Sequence, residues 1–256
     1  PTPTGYLHLG HARTFWIAQE RARAAGGTLL YRNENLDSDR CKPEYFEAAM
    51  EDCHWIGLNW KGDVVHQSER LELYRKAFEQ LKQSGFLFPC NCTRRDLENA
   101  VAAPHGEGSE TIYPGTCRQQ TTPPEADCNW RFRVPDGEHV TFEDAHYGPQ
   151  QFVAGRDFGD FPVWQKNGMP SYQLAVVVDD AAQEITEVVR GADLLVSTAR
   201  QLLLYRALKL IAPSFYHCDL MLDAEGNRLA KRNKALSLRE SRTNGKTPEE
   251  VRKEWI

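Results

Sequence analysis

The sequence predicts an α/β protein in which two α/β halves are separated by an inserted segment. Up to residue 87, helical spacings of apolar residues alternate with short apolar runs. From Cys90 to about Pro149 the chain is instead rich in Pro, Gly and Thr, with short β-like runs, and the α/β pattern returns after residue 151. We therefore predict segments at 1–87, 88–150 and 151–215, followed by a basic C-terminal helical segment at 216–256.

The elements follow from apolar spacing and from helix start and stop signals. In the first half we predict a helix that ends at Gly26-Gly27, a strand at 28–32, a helix at 43–54 and a helix with Ser68 as its N-cap that ends at Gly85. The insertion contains a predicted helix at 94–101 and β-like runs at 130–134 and 139–142. The second half contains apolar runs at 162–165, 174–178 and 187–189 and a helix at 197–210.

The composition excludes several classes of protein. The 256 residues are 41% hydrophobic and 26% charged, which is typical of globular domains and argues against disorder, collagen or a coiled coil. Apolar runs stay far below the roughly 18 residues of a membrane span, and there is no signal peptide, so we expect a cytoplasmic protein without a membrane partner. The net charge of −5 disfavours a protein that coats nucleic acid non-specifically.

The first chemical signal is the sequence His8-Leu-Gly10-His11, where a turn enters the first helix. A helix start offers backbone N–H groups and a positive dipole, which suit a polyphosphate, and Gly10 permits close approach. His8 and His11 then donate hydrogen bonds to charge that develops on a phosphoryl group. By itself this motif is a weak signal, because structural histidines beside a glycine are common.

The second signal is a basic cluster at Arg228-Leu-Ala-Lys231-Arg232. From residue 228 to 256 the chain has nine Lys or Arg against four Glu, so this end carries +5 on an otherwise acidic protein. One interpretation is a solvated helical face, and the other is a phosphate-binding surface. The pairing of an early H-x-G-H with a late basic loop favours an ATP-activating enzyme, with Lys231 at the leaving pyrophosphate.

Together the motifs resemble class I aminoacyl-tRNA synthetases of the glutamyl type. The segments P-T-P-T-G-Y-L-H-L-G-H-A-R, A-V-V-V-D-D, E-V-V-R-G-A-D-L and R-L-A-K-R carry this resemblance. The family's H-I-G-H element corresponds to residues 8–11 and its K-M-S-K-S element to residues 228–232. The resemblance implies a Rossmann-like catalytic domain that uses ATP and Mg²⁺ to form glutamyl-adenylate and transfers glutamate to RNA. It also implies ATP-binding roles for His8, Gly10, His11, Arg228 and Lys231.

The same resemblance implies a glutamate pocket. Thr2 corresponds to the serine of the family's A-P-S-P start, and Glu34 to the carboxylate that holds the substrate α-amino group. Tyr172 is a further pocket residue. Arg190 is expected to bind the γ-carboxylate, since a guanidinium matches a carboxylate in bidentate fashion. A surface salt bridge is the alternative for Arg190, but its position after an apolar strand favours the pocket.

A third signal is the set Cys90, Cys92, Tyr113 and Cys117. It resembles the C-x-C…Y-x-x-x-C zinc site of the glutamyl-queuosine tRNA(Asp) synthetases, which are short members of this family. Three thiolates and one further ligand make a closed, structural Zn²⁺ site. His105 competes with Tyr113 for the fourth position, and three reduced thiols without metal are the alternative to the site.

The end of the chain at Ile256 leads us to expect no domain that reads an anticodon as in the longer glutamyl-tRNA synthetases. In the short members, glutamate is transferred to queuosine in the anticodon stem-loop of tRNA(Asp), and we expect this partner and a monomeric protein. Two alternatives are the clipped catalytic domain of an ordinary glutamyl-tRNA synthetase and a non-enzymatic RNA-binding pseudo-synthetase. The second is suggested by Asn35 and Ala230, which stand where the family has Asp and Ser.

Overall fold

The computed structural model describes residues 1–93, 96, 112–123, 128–221 and 237–255. Two compact units divide the chain. The first unit comprises Pro1–Glu69, Val188–Asp193 and Tyr216–Ile256, and the second comprises Arg70–Glu187 and Leu194–Phe215. The four segments predicted from the sequence have boundaries that differ from those of these two units, and the division into four segments stays a prediction. Within the described residues, no helix has the length and apolar character that crossing a membrane requires.

Both units contain helices and strands. In chain order, the helices are α1 (Leu9–Ala24), α2 (Pro43–Trp55), α3 (Leu71–Gln83), α4 (Tyr172–Ala182), α5 (Leu195–Leu208), α6 (Leu238–Thr243) and α7 (Pro248–Lys253). The strands are β1 (Arg32–Asn33), β2 (Val65–His66), β3 (Leu87–Cys90), β4 (Asn129–Phe132), β5 (His139–Asp144), β6 (Gly148–Val153), β7 (Phe161–Trp164), β8 (Glu187–Gly191) and β9 (Ser214–Cys218). Single 3₁₀ turns lie at Gln67–Glu69 and Ala192–Leu194.

The first unit begins with α1 and a parallel strand pair. Strands β1 and β2 pair in parallel, with Arg32 opposite Val65, and α2 forms the connection between them. A parallel pair requires such a crossover, so this is a β-α-β arrangement. The same unit contains the C-terminal residues of β8 and β9, which are neighbouring strands of one sheet.

The C-terminal helices of the first unit complete its core. Leu238, Val251 and Trp255 pack in one cluster with residues of the early elements, among them Leu7 and Ile56. Both short helices start with a capping box, in which the hydroxyl of Ser237 or Thr247 accepts from the third helical N–H group. Burial of these apolar side chains stabilises the unit by roughly 1.5–3 kcal/mol for each large one.

The described part of the second unit contains two antiparallel β structures and the helices α3, α4 and α5. Strands β3, β4 and β7 form a sheet with β4 in the centre, and β5 pairs with β6 as a hairpin. Asp144 at the end of β5 is opposite Phe215 at the start of β9. Helices α3 and α4 are joined by the fully buried Asp179, which accepts from Arg70 Nε over 2.7 Å and from the Tyr74 hydroxyl over 2.8 Å.

Most predicted elements are confirmed, and two expectations are wrong in detail. The predicted strand at 28–32 is limited to Arg32–Asn33. Ser68 is not the N-cap of α3, which begins at Leu71 after Arg70. The apolar run at 174–178 is part of α4, a helix buried along most of its length. The predicted helix at 94–101 lies outside the described residues apart from Asp96.

Candidate active site and metal site

His8 and His11 lie together at the start of α1. His8 is the N-cap residue and has an extended backbone (φ −103°, ψ 169°). The two imidazole rings stack with centroids 3.6 Å apart and 27° between their planes. The backbone N–H of His8 donates to Nδ1 of His11 over 3.4 Å. Because Nδ1 accepts this bond, a neutral His11 ring carries its proton on Nε2.

Gly10 makes room for the His8 ring. A Cβ atom at this position would lie 3.1 Å from both Cε1 and Nδ1 of His8, closer than ordinary contacts, which begin near 3.4 Å. The missing side chain therefore permits the observed position of the imidazole, in addition to leaving the backbone open to a ligand.

The basic segment is the stretch around the cluster at 228–232, and the structure describes the chain up to Met221 before it and from Ser237 after it. Both of these flanking residues lie beside the histidine motif. Ser237 forms an antiparallel bridge with His8, and the N–H of Leu238 donates to the carbonyl oxygen of Leu7 over 2.7 Å. Met221, at the other end, has its Cβ 3.9 Å from the position that a Cβ of Gly10 would take. Arg228 and Lys231 themselves lie outside the described residues, so their ATP-binding roles stay a prediction.

Glu34 follows β1 and lies within a polar cluster of the first unit. Its carboxylate accepts from the Thr2 hydroxyl over 3.3 Å and forms an ion pair with Arg32 over 3.4 Å. Burial by itself raises the pKa of the Glu34 carboxyl, whereas the positive charge of Arg32 and the hydrogen bonds from Arg32 and Thr2 lower it. Glu34 is thus an ionised carboxylate that suits an ammonium group.

Asn35, where the family has Asp, makes a paired contact with Ser68. Its side-chain amide donates to the Ser68 hydroxyl over 2.9 Å, and its oxygen accepts from the Ser68 N–H over 3.0 Å. The Ser68 hydroxyl can donate as well as accept, so an Asp at this position could keep both contacts, and Asn35 makes them without a negative charge. The pair ties the segment after β1 to the turn after β2.

Arg190 lies on β8 and is buried against β9. Only 9% of its surface is exposed, and Nε donates to Nε2 of the fully buried His217 over 3.2 Å. The next residue, Gly191, has no space for a side chain, because a Cβ would lie 2.5 Å from Oδ1 of Asp193. Burial and the bond to His217 restrict the orientation of the guanidinium, which suits a residue that recognises a carboxylate.

Tyr172 belongs to the second unit and begins α4, with 40% of its surface exposed. The start of this helix is attached to α5 through side-chain amides. Gln173 donates to the Ser197 hydroxyl over 3.1 Å and accepts from Gln201 over 2.9 Å. These bonds fix the backbone from which Tyr172 projects.

The predicted zinc ligands converge in the second unit. The sulphur atoms of Cys90, Cys92 and Cys117 all lie within 4.8 Å of one another. The Tyr113 hydroxyl is 3.4 Å from the Cys90 sulphur and 3.6 Å from the Cys92 sulphur, and it accepts from the backbone N–H of Cys117 over 2.8 Å. His105 lies outside the described residues.

Three of these distances are compatible with a tetrahedral zinc ion. Bonds of about 2.3 Å to sulphur and about 2.0 Å to oxygen place two sulphurs about 3.8 Å apart and a sulphur about 3.5 Å from the oxygen. The observed Cys92–Cys117 separation is 3.6 Å, close to the first value, and both phenol–sulphur distances agree with the second. Burial raises the pKa of Cys92 to about 11, and a bound cation reverses this effect because it favours the thiolate.

The chain matches a known family over nearly its whole length. Residues 1–253 match the family described as "tRNA synthetases class I (E and Q), catalytic domain". The chain belongs to this family. The resemblance drawn from the motifs is confirmed, and with it the Rossmann-like α/β class of the fold.

Relatives of this synthetase domain carry two different names. A protein of Symbiobacterium thermophilum named "Glutamyl-Q tRNA(Asp) synthetase" is 47% identical, and the match covers 98% of this chain and 82% of the relative. A "Glutamate--tRNA ligase" of Aquifex aeolicus is 39% identical, and the match covers 97% of this chain but 54% of that protein.

A crystal structure of a glutamate tRNA ligase also matches this chain over about half of the ligase's own length. The synthetase domain superposes on a glutamate tRNA ligase from Elizabethkingia meningosepticum, solved in complex with its amino acid, with a TM-score of 0.78 and 28% identity. The match covers 96% of this chain and 52% of the ligase chain. The chain thus spans about half the length of the glutamate–tRNA ligases to which it is similar.

Two residues at these sites were not predicted from the sequence. His217 contacts Arg190, and Arg131 contacts the cysteine cluster, with Nε donating to the Cys90 sulphur over 3.3 Å. Each lies on a strand that pairs with the strand of its partner, so strand register was the missing information. A single histidine or arginine in an apolar strand gives no motif by itself.

Proposed function

We propose that this synthetase domain activates glutamate with ATP and transfers it to queuosine of tRNA(Asp). One observation carries the activation step: the stacked His8–His11 pair starts α1 beside Ser237, and Gly10 of the same motif lies near Met221, so the described residues that flank the basic cluster at 228–232 both lie beside this motif. The name of the Symbiobacterium relative supports the choice of acceptor.

In the activation step, a carboxylate oxygen of glutamate attacks the α-phosphorus of ATP in line, and pyrophosphate leaves. His8 and His11 donate hydrogen bonds to the charge that develops on the phosphoryl oxygens, and Lys231 stabilises the pyrophosphate, assisted by Arg228. Gly10 leaves space for the His8 ring and leaves the backbone open to the ligand. Mg²⁺, when bound, neutralises part of the triphosphate charge.

Glutamate is recognised through its three charged groups. The ionised Glu34, held by Thr2, binds the α-ammonium group, and Arg190 binds the γ-carboxylate in bidentate fashion. Tyr172 is assigned to the same substrate from the family resemblance alone. The α-carboxylate is then the group left to react with ATP.

A structural Zn²⁺ is held by Cys90, Cys92, Tyr113 and Cys117. Support for this assignment is the agreement of the sulphur and phenol distances with tetrahedral coordination. Purified protein should contain about one equivalent of zinc by metal analysis. A folded, metal-free protein with the same activity would refute the assignment.

Glutamate-dependent exchange between pyrophosphate and ATP, measured without tRNA, tests the activation step. We expect exchange, because the short members activate glutamate without tRNA whereas the ordinary glutamyl-tRNA synthetases require it. Exchange that appears only after addition of tRNA would favour the ordinary synthetase. No exchange under either condition would favour the pseudo-synthetase.

A second assay tests the acceptor. Radiolabelled glutamate should be transferred to tRNA(Asp) that contains queuosine and not to the same tRNA isolated from cells that lack this base. A separated anticodon stem-loop should be labelled as well, since we propose that this stem-loop is the partner. Labelling at the 3′ end of tRNA(Glu) would contradict the proposal.

We further propose that the protein is a cytoplasmic monomer. Sedimentation tests the oligomeric state, and cell fractionation tests the localisation.

A further inference from the structure

Arg131 is a buried cation beside the cysteine cluster. Only 8% of its surface is exposed, although arginine is rarely buried without partners. Its Nε donates to the Cys90 sulphur over 3.3 Å, and its Nη1 donates to the carbonyl oxygen of Asp160 over 3.1 Å. Its guanidinium carbon lies 4.1 Å from the centre of the Tyr113 ring, within the range of a cation–π contact.

The sheet places Arg131 at this position. Strands β3 and β4 pair in antiparallel fashion with Arg131 opposite Phe88, two residues from Cys90. On the other edge of β4, the register against β7 shifts between Trp130 and Arg131. Such an irregularity locally bends a strand and re-aims a side chain. The ring of Trp130 lies against Phe78, whereas Arg131 lies on Tyr113.

A buried guanidinium is stable only when negative charge or well-oriented acceptors surround it. Three thiolates around Zn²⁺ carry a net charge of −1, and ionisation of a phenol ligand adds a further negative charge. The charge of Arg131 has the sign and the position to offset this excess. Hydrogen bonds to ligand atoms from a neighbouring shell also fix ligand orientation.

We infer that Arg131 is a positioning residue of the zinc site, which holds the Cys90 sulphur by a hydrogen bond and the Tyr113 ring by its face. The inference rests on the zinc site of the proposed function. It assigns to Arg131 a role in metal retention and none in contact with glutamate, ATP or RNA.

The test compares zinc release from the purified full chain and from three variants. Release to a chromogenic chelator is followed for the wild type, for Arg131→Met, for Arg131→Lys and for the control Arg133→Met. Arg133 lies two residues further along the chain, and its partners are the Arg118 carbonyl oxygen and the Phe88 ring. Loss of a residue that supports metal ligands typically costs about 10–100-fold in metal affinity.

We expect Arg131→Met to lower zinc affinity about 10–100-fold. Arg131→Lys should fall between it and the wild type, since an ammonium group keeps the charge but not the planar fork. Arg133→Met should retain the wild-type affinity. In protein loaded with Co²⁺, the sulphur-to-cobalt charge-transfer band should shift in Arg131→Met and Arg131→Lys but not in the control.

The outcomes separate two failures. If wild-type protein is folded without zinc, both the metal site and the role of Arg131 are wrong. If it binds zinc and Arg131→Lys matches it in release rate and in the cobalt spectrum, the metal site stands and only the inference fails. The lysine variant decides the question if Arg131→Met does not fold.

Discussion

Substitution of Gly10 by alanine should reduce activity without a loss of stability. A Cβ at this position lies 3.1 Å from two atoms of the His8 ring, so the ring has to move by a few tenths of an ångström. That movement disturbs its stacking on His11, at present 3.6 Å between centroids. Alanine in place of glycine within a helix contributes about 0.5–1 kcal/mol of stability, which offsets the cost of the closer contact.

The expected loss is a 10- to 100-fold decrease in the rate of pyrophosphate exchange. Removal of one well-placed donor to a developing charge typically costs about 10²–10³ in rate, and a displaced donor loses part of this contribution. A tenfold decrease corresponds to about 1.4 kcal/mol of transition-state stabilisation. The melting temperature should change by no more than about 4 °C.

The matched control is Gly27→Ala at the other end of α1. Its Cβ would meet the Ala22 carbonyl oxygen at 3.4 Å, an ordinary contact, and we expect unchanged exchange. If Gly10→Ala exchanges pyrophosphate at the wild-type rate, the position of the His8 ring is not critical and the proposed role of this histidine loses its main structural support.

Three further substitutions test other parts of the molecule. Lys231→Ala should decrease adenylate formation at least about tenfold while the circular dichroism spectrum stays unchanged, and a normal exchange rate would remove its role. Arg190→Ala should raise the KM for glutamate about 10- to 100-fold through loss of a charged hydrogen bond, with a smaller effect for Arg190→Lys; a normal glutamate dependence contradicts the assignment. Asp179→Ala should lower the free energy of unfolding by about 3–5 kcal/mol, since it leaves the buried side of Arg70 unpaired. Urea unfolding measures this change, and a loss below about 1 kcal/mol refutes the prediction.

Helix positions were predictable because their signals are local. The glycines after α1 and the spacing of apolar residues in α3 define these helices without knowledge of the rest of the fold. Ser68 shows the limit of such signals. Its hydroxyl accepts from Asn35 and its N–H donates to Asn35, so this residue is already engaged by a segment 33 positions earlier and does not cap α3. Local sequence cannot report that competition.

The apolar run at 174–178 was ambiguous for a different reason. Five consecutive apolar residues fit either a buried strand or a buried helix, and period alone does not separate the two. The run lies in α4, where residues from Leu174 to Asp180 are all buried, so every face of the helix has a neighbour. The buried run ends with two carboxylates that accept hydrogen bonds from tyrosine hydroxyls of other helices. Tyr74 donates to Asp179, and Tyr205 donates to Asp180.

The candidate site residues were named from local motifs, but their arrangement depends on contacts with residues far away in the sequence. Arg190 gains its orientation from His217 on the neighbouring strand, and His8 gains a backbone partner from Ser237, 229 positions later. Arg13, on the same helix as the histidines, donates to the carbonyl oxygens of Asp219 and Trp255 over 2.8 Å and 3.3 Å. The early histidines, the buried arginine of β8 and the described ends of the basic segment therefore belong to one compact unit, whose core the C-terminal helices complete. These helices therefore stabilise the unit that holds the early histidines and the buried arginine.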